Sequence, residues 1–275
     1  MNMLEVIHPS ALLAPYVKQY WFLRLENVEL NSQRFLPNGS TMLTFQREEY
    51  HSYIENGLLQ DSSLSGQYNS PVNMIYSGTI DLISIVFQPI GAKIFFQIPM
   101  NELNNRNIPI EMLCDSQIME LEKSLKETTN KEICIRLIEN FLLKRICQFE
   151  NPNHNRLNAI IDSIQQGQYD ISILAQTACL GYKQFKRLFA EHIGINPKDF
   201  IRVTRFQKAI HILQTQPQIT LTNLSDNCGY YDKSHFIKEL KEYSGYSPKA
   251  FLNLCDPYSD YYSLFRSTFL DTKYS

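Results

Sequence analysis

The feature that most constrains this chain is a repeat. Residues 185–201 (FKRLFAEHIGINPKDFI) return as residues 236–252 (FIKELKEYSGYSPKAFL) at a constant offset of 51. The positions that agree are those that shape a backbone. Phe185 and Phe189, like Phe236 and Leu240, lie one helical turn apart and face one side. Gly194 and Gly245 stand where a left-handed residue ends a helix. Asn196-Pro197 and Ser247-Pro248 then supply an N-cap and a proline at the first helical position. A helix, its stop and the restart of the next helix are therefore written twice.

Upstream of each copy lies a shorter apolar helix, Ile173 to Cys179 and Leu221 to Cys228, joined to the longer one by a few residues. Short helix, tight turn and longer helix make a helix-turn-helix unit. The second unit has one more residue in its turn, because Leu174 to Phe185 is 11 steps and Leu224 to Phe236 is 12. Between the units, Phe200, Val203, Phe206 (or Ile210) and Leu213 keep helical register over residues 197–214, which predicts a rigid spacer. Before the first unit, Leu157, Ile160, Ile161 and Ile164 predict a helix that stops at Gly167.

With Phe185, Leu188 and Phe189 turned inward, Lys183, Gln184, Lys186 and Arg187 fall on the outer side of the first long helix. In the second, Asp232 is the expected N-cap. Lys233, Ser234, Ile237, Lys238 and Lys241 form the outer set. Arg or Lys can bond guanine O6/N7, whereas a phosphate contact positions the duplex without specifying it. Taken singly, such basic residues read as ordinary solvated helix faces. Their recurrence in both copies points instead to nucleic acid. Arg202 and Arg205 on the spacer are candidates for phosphate contact but are expected rather to brace the two units through acidic partners such as Asp226, and Glu239 is expected to face away from a duplex.

These residues resemble the DNA-binding domain of the AraC/XylS transcription regulators, whose double helix-turn-helix ends in a G-x-S/N-P-x-x-F repeat. The second copy, Gly229-Tyr230-Tyr231-Asp232-Lys233-Ser234-His235-Phe236 followed by Gly245-Tyr246-Ser247-Pro248-Lys249-Ala250-Phe251, is similar to that family's G-F/Y-x-D-x-S-H-F signature. The first turn departs from it. Cys179 and Gly181 replace the usual Gly and Ser/Thr cap, so that turn is less well specified. The resemblance implies two recognition helices entering successive major grooves, with Lys183, Lys186, Arg187, Lys233, Ser234 and Lys238 at positions the family uses on DNA. Residues 9–92 resemble the N-terminal domain of a subset of these regulators that has no assigned activity. The resembling pieces are Pro15-Tyr16-Val17 with Tyr20-Trp21-Phe22, residues 34–39 (RFLPNG), and Asp81 through Phe87 to Pro89-Ile90-Gly91-Ala92. In that family such a domain senses a small molecule or dimerises.

Charge agrees with this division. The chain as a whole carries a net −2, but residues 155–255 hold 12 Lys+Arg against 8 Asp+Glu, while residues 1–154 hold 12 against 17. A polyanion would go to the later segment.

The first half reads differently. Up to about residue 100 its apolar residues come in short β-branched and aromatic runs. These predict strands at Tyr20–Leu25, Ser40–Gln46 and Val72–Tyr76, and at Leu82–Gln88 after a turn at Ser77-Gly78. Leu12–Tyr20 is a candidate entry helix. Asp115–Thr128 and Lys131–Phe149 have helical spacing. The stripe Ile138, Phe141, Leu142 and Ile146 is either core or a dimer seam. Glu150–Asn155 is the expected linker.

The fold class expected is α+β: a mainly β N-terminal domain with closing helices, then an all-α domain whose two helix-turn-helix units are joined by a linker helix. Residues 1–150 form a sensing or dimerisation domain, 155–255 the DNA-binding domain and 256–275 an aromatic extension. The tail's Tyr258, Tyr261, Tyr262, Phe265 and Phe269 are expected to dock on a domain or another chain.

An effector site would draw on Trp21, Phe22, Arg34, Phe45, Tyr76 and Phe87, although aromatics more often fill a β core. The six cysteines show no C-x-x-C and read as reduced, mostly buried thiols, and the six histidines are dispersed. No metal, cofactor or catalytic residue is expected. An enzymatic first domain and a ligand-free partner-recruiting module are the alternatives. The expected partners are double-stranded DNA, with a small-molecule effector, a homodimer partner and RNA polymerase as further candidates. No apolar run is long enough to span a membrane and no secretory signal opens the chain, so a cytoplasmic, bacterial protein is the default.

Overall fold

The computed structural model describes residues 3–48, 51–54, 57–58, 62–146, 153–216 and 218–254. Its first half is an antiparallel sheet built on two long strands. β1 (Met3–Ile7) pairs with β2 (Val17–Phe35), which is followed by β3 (Met42–Gln46), β4 (His51–Ile54), β5 (Gly57–Leu58), β6 (Ser63–Ser65), β7 (Val72–Phe87) and β8 (Asn107–Pro109). The sheet runs β1-β2-β7-β3-β6-β8, with β4 hung on the outer length of β7 and β5 on β4. Strands of 19 and 16 residues hold together because β2 and β7 pair from Val17↔Phe87 to Phe35↔Val72. Breaks of register fall near Val28.

The expected turn at Ser77-Gly78 is a correction: both residues lie inside β7. Gly78 takes φ +99 opposite Val28, so the strand absorbs a twist at an irregular pairing instead of reversing. The entry helix at Leu12–Tyr20 is also absent. Residues 11–16 form consecutive turns closed on Ser10 and Leu13, and β2 starts at Val17. Pro15 has no N–H to continue a helical ladder. Leu13, Val17 and Tyr20 are buried all the same, because the residues face the core even though the period is different.

One face of the sheet is closed by helices. α1 (Gly91–Phe96) and the short 3-10 turns Met100–Leu103 and Ile110–Leu113 lead to α2 (Ser116–Lys126) and α3 (Lys131–Ile146). Asp115 caps α2 by accepting from the amides of Gln117 and Ile118. Ile118, Leu121 and Leu125 of α2 and Ile138, Phe141 and Leu142 of α3 pack on Phe22, Leu43, Phe45, Ile83 and Phe87, with Ile146 half-buried beside them. The α3 stripe is therefore intramolecular core and not a dimer seam. Asp81, 3% exposed, pins this core's edge by accepting from Arg24 at 2.7 Å and Arg47 at 2.6 Å.

Residues 150–152 of the expected linker lie outside the described residues, as does the aromatic tail; the rest of it is a correction, because Asn153 stands at a helix start and His154 and Asn155 belong to that helix. Helices resume with α4 (His154–Gln165), α5 (Ile171–Thr177), α6 (Tyr182–Ile193), α7 (Pro197–Thr215), α8 (Leu221–Asn227), α9 (Lys233–Ser244) and α10 (Pro248–Leu254). Two apolar clusters form. The first gathers Leu157, Ile160, Leu174, Phe185, Phe189 and Phe200, and the second Val203, Phe206, Leu224, Phe236, Leu240 and Phe251. The helix α7 contributes to both, one through its first turns and the other through its middle, as the register of its apolar residues predicts.

Candidate nucleic-acid interface

Each helix-turn-helix unit is built by caps and a left-handed turn. Asp170 and Thr220 accept hydrogen bonds at the starts of α5 and α8. In the first turn Cys179 has φ +52 and Leu180 N donates to Ala175 O at 3.0 Å. In the second Gly229 has φ +72 and Tyr230 N donates to Ser225 O at 3.0 Å. A cysteine thus occupies a conformation that favours glycine. The extra residue of the second turn is Tyr231, which stands 91% exposed ahead of Asp232. Asp232 caps α9 by accepting from His235 N at 2.7 Å, whereas Gly181 offers α6 no side-chain cap. The second unit is the better specified of the two, as the sequence predicts.

Both recognition helices bury the predicted face and expose the predicted set. Phe185, Phe189, Phe236 and Leu240 are fully buried. Lys183, Gln184, Lys186 and Arg187 on α6 are exposed, as are Lys233, Ser234, Lys238 and Lys241 on α9, while Ile237 is half-buried. Among the described residues none of these lysines and arginines pairs with an acidic side chain, so their charge is available to a polyanion. Two tyrosines at the same ends were missed. Tyr182 opens α6 with its ring half exposed and Lys186 Nζ 5.6 Å from its centroid, and Tyr231 precedes the α9 cap. Their position at helix starts, outside the repeat's core pattern, was the signal.

The two arginines of α7 find their acidic partners on α9 alone, so they brace the second unit, and not through Asp226. Arg202 Nε lies 2.8 Å from Glu239 Oε2 and its Nη2 2.6 Å from Glu242 Oε2. Arg205 Nη2 lies 3.4 Å from the same Glu239 oxygen. Glu239 is 1% exposed and held inside the protein, whereas Asp226 caps its turn by accepting from Gly229 N at 3.1 Å through its backbone oxygen. Burial would lower the Arg202 pKa, but hydrogen bonds to Glu242 and Glu239 more than reverse this and hold it above the usual guanidinium value. Arg205 stacks on Tyr230 at 4.8 Å. Burial, reinforced by the Glu239 charge, raises the Tyr230 phenol well above its ordinary pKa. Beside this network a cleft of about 660 Å³ opens between α7 and α9, with Lys198, His235 and Lys238 on its walls.

The first half touches both units at matching points. Gln67 Nε2 donates to Ile193 O, at the end of α6, at 2.7 Å. Arg34 Nη1 donates to Ser244 O, at the end of α9, at 3.1 Å. Both recognition helices thus present their C-terminal ends to the sheet domain, and their exposed first turns lie about 18 Å away along each axis.

The six side chains expected to line an effector site do not line one site. Trp21 and Phe22 are consecutive in β2, opposite Ser84 and Ile83, and so project from opposite faces. Phe22 and Phe87 fill the core with Phe45, Tyr76 is 6% exposed, and Arg34 is committed to α9 and to Asn73 Oδ1 at 2.7 Å. Of the four described cysteines, Cys134 and Cys228 are buried but Cys114 and Cys179 are exposed, so "mostly buried" fails for half of them. The described residues contain no group of three or more His, Cys, Asp or Glu able to hold a metal, and no helix long and apolar enough to cross a membrane.

A sheet domain gripping two capped helix-turn-helix units with bare cationic first turns defines a two-part DNA-binding regulator. Residues 174–253 match the family described as a helix-turn-helix domain, and residues 5–109 match a domain of unknown function (DUF6597). An uncharacterized HTH-type transcriptional regulator of Haemophilus influenzae is 25% identical over 252 residues, spanning 78% of this chain and 84% of that protein. The arabinose operon regulatory protein of Salmonella typhimurium is 25% identical over 132 residues, 45% of this chain and 47% of that one, so the chain spans about half of that relative's length. Among solved structures, ToxT of Vibrio cholerae aligns over 86% of this chain and 98% of its own at 12% identity, with a TM-score of 0.44. The chain thus carries an AraC-type helix-turn-helix domain behind a DUF6597 domain, and its relatives are transcriptional regulators.

Proposed function

We propose that the chain regulates transcription by reading two successive major grooves on one face of duplex DNA, α6 in one and α9 in the next. The observation that carries this reading is the matched presentation of the helices. Both end on the sheet domain, and both expose basic residues without an acidic partner, from the first turns of α6 and along the outer side of α9 from Lys233 to Lys241. Lys183, Gln184, Lys186 and Arg187 serve one box; Lys233, Ser234, Lys238 and Lys241 serve the other. The working units are residues 1–150, which hold and regulate the reader, and residues 155–255, which read. Residues 256–275 are an appended segment.

The site works by binding alone, with no turnover, in the cytoplasm of a bacterium. A second copy of the chain and RNA polymerase are further partners of this reading, supported by the likeness to transcriptional regulators. A small-molecule effector would act through the sheet domain's hold on the helices, not through a site lined by the six aromatic and basic residues.

Selection of bound fragments from genomic DNA, followed by footprinting, tests the proposal. The expected result is a motif of two boxes about 34 Å apart on one face, with affinity that falls by roughly 10³ between 50 and 200 mM salt if about six phosphates are contacted. A single box, or no enriched motif, overturns it. Sedimentation with and without the selected DNA decides the dimer, and run-off transcription the polymerase contact.

A further inference from the structure

The carbonyls held by the first half are equivalent positions of the repeat. Ile193 and Ser244 are one repeat length apart, and each is the last residue of its helix before a left-handed glycine. Carbonyls at a helix C-terminus lack intrahelical partners and carry the negative end of the helix dipole, so they favour an outside donor. α6 receives the Gln67 amide and α9 the Arg34 guanidinium. Gln67 is 1% exposed, and Arg34 is steadied by Asn73 and by the ring of Tyr246, 4.9 Å away.

Each hydrogen bond has an apolar companion. Ile90, fully buried, enters the cluster of the first unit, and Leu36, 6% exposed, enters that of the second. The glycines permit the approach. A Cβ at Gly245 would stand 2.3 Å from Arg34 Nη1, and one at Gly194 3.3 Å from Met100 O. The left-handed glycine that ends each recognition helix also makes room for the sheet domain.

One attachment would suffice to keep two domains together. Two attachments, one at the same point of each repeat, fix the units relative to each other. α7 packs on both α6 and α9 and is tied to α9 through Arg202 and Glu239, so the sheet contacts at the helix ends add a second, separate constraint on the tilt of each recognition helix. We propose that Gln67 and Arg34 are positioning residues for DNA reading: by holding the two helix ends on one rigid sheet, they set the spacing between the two base boxes that the protein accepts. This rests on the two-groove reading.

The test uses the full chain and duplexes carrying both selected boxes, with the spacer changed by one or two base pairs. One base pair moves a box about 3.4 Å along and about 35° around the duplex. Wild type is expected to lose about tenfold in affinity for a one-base-pair change, the size of a single lost base contact. The Gln67→Met/Arg34→Gln double variant is expected to flatten that loss to about threefold while binding the optimal spacing less tightly. Asn73→Ala, which only loosens Arg34, should move part of the way and supplies the answer if the double variant does not fold. A uniform loss at every spacing, with the profile unchanged, overturns the proposal and leaves the two residues a merely structural role. A wild-type profile with no spacing preference, or one box only, overturns it from below by removing the two-groove reading itself.

Discussion

Arg202 of α7 and Glu239 of α9 form the ion pair that ties the spacer helix to the second recognition helix, with Nε 2.8 Å from Oε2 and the carboxylate 1% exposed. Because Arg205 shares the same oxygen, one buried acid answers two guanidinium groups, and the orientation of α9 against α7 depends on it.

Glu239→Ala should therefore destabilise the protein by about 2–3 kcal/mol, below the full value for a wholly buried pair because both arginines keep some access to water. Glu239→Gln should cost less. Denaturant titration reads this as a lower midpoint at unchanged slope; a change below about 0.5 kcal/mol would show that the network contributes little.

Phe185 and Phe236 occupy equivalent positions in two separate apolar clusters and are fully buried. Each Phe→Ala should cost about 3–5 kcal/mol. Since the clusters share no side chain at these sites, the two costs should add within about 0.5 kcal/mol. Strong coupling in the double variant would mean that the units unfold as one block.

For DNA, Arg187→Ala should relax discrimination within one box, and Lys238→Ala within the other, by about 1–3 kcal/mol at the base concerned. Competition binding over a randomised site library measures this. A loss equal on all sequences, with the salt slope reduced by about one, would assign that side chain to phosphate.

His192, at the end of α6, is 6% exposed, and its Nδ1 lies 2.9 Å from Leu188 O. Burial holds its pKa below the ordinary 6.5, and burial does the same to His154. The folded chain thus takes up these protons less readily than the unfolded one. The stability they carry is complete above pH 6.5 and is lost as the pH falls from there through the folded value. Unfolding free energy should drop between pH 7.5 and 5.5, and His192→Phe should flatten that drop. An unchanged slope in the variant would exclude His192 as its source.

Thiol reactivity should follow exposure. Burial pushes the Cys228 thiol up to about 11 and raises Cys134 as well, whereas Cys114 and Cys179 face solvent. Alkylation at pH 8 with peptide mapping should label Cys114 and Cys179 well before the other two. Labelling of Cys228 at the same rate would show that the second turn opens readily.

The helical half was legible in the sequence because its signals are local. Caps such as Asp232 and Asn196, stops such as Gly194 and apolar residues at helical spacing act within one or two turns of chain, and the repeat states them twice. The sheet was legible only in pieces. Gly78 looks like a turn from its neighbours, yet pairing with β2 carries the chain straight through it. Leu13 and Val17 have helical spacing but are buried from turns and a strand. Long-range partners were the least visible. Nothing near Arg202 marks Glu239 over Asp226, because that choice depends on how α9 lies across α7. Gln67 and Arg34, which meet the helix ends from 126 and 210 positions away, carry no local mark at all.

Leu36 and Ile90 have an implication for any attempt to work with the reader by itself. Cutting the chain near residue 150 would leave an open apolar socket in each helix-turn-helix unit and an uncapped carbonyl beside each socket. A fragment that begins there has lost part of its own interior. To stay in solution it would need a polar graft at the rim of each hole, or a short peptide supplied in trans to fill it.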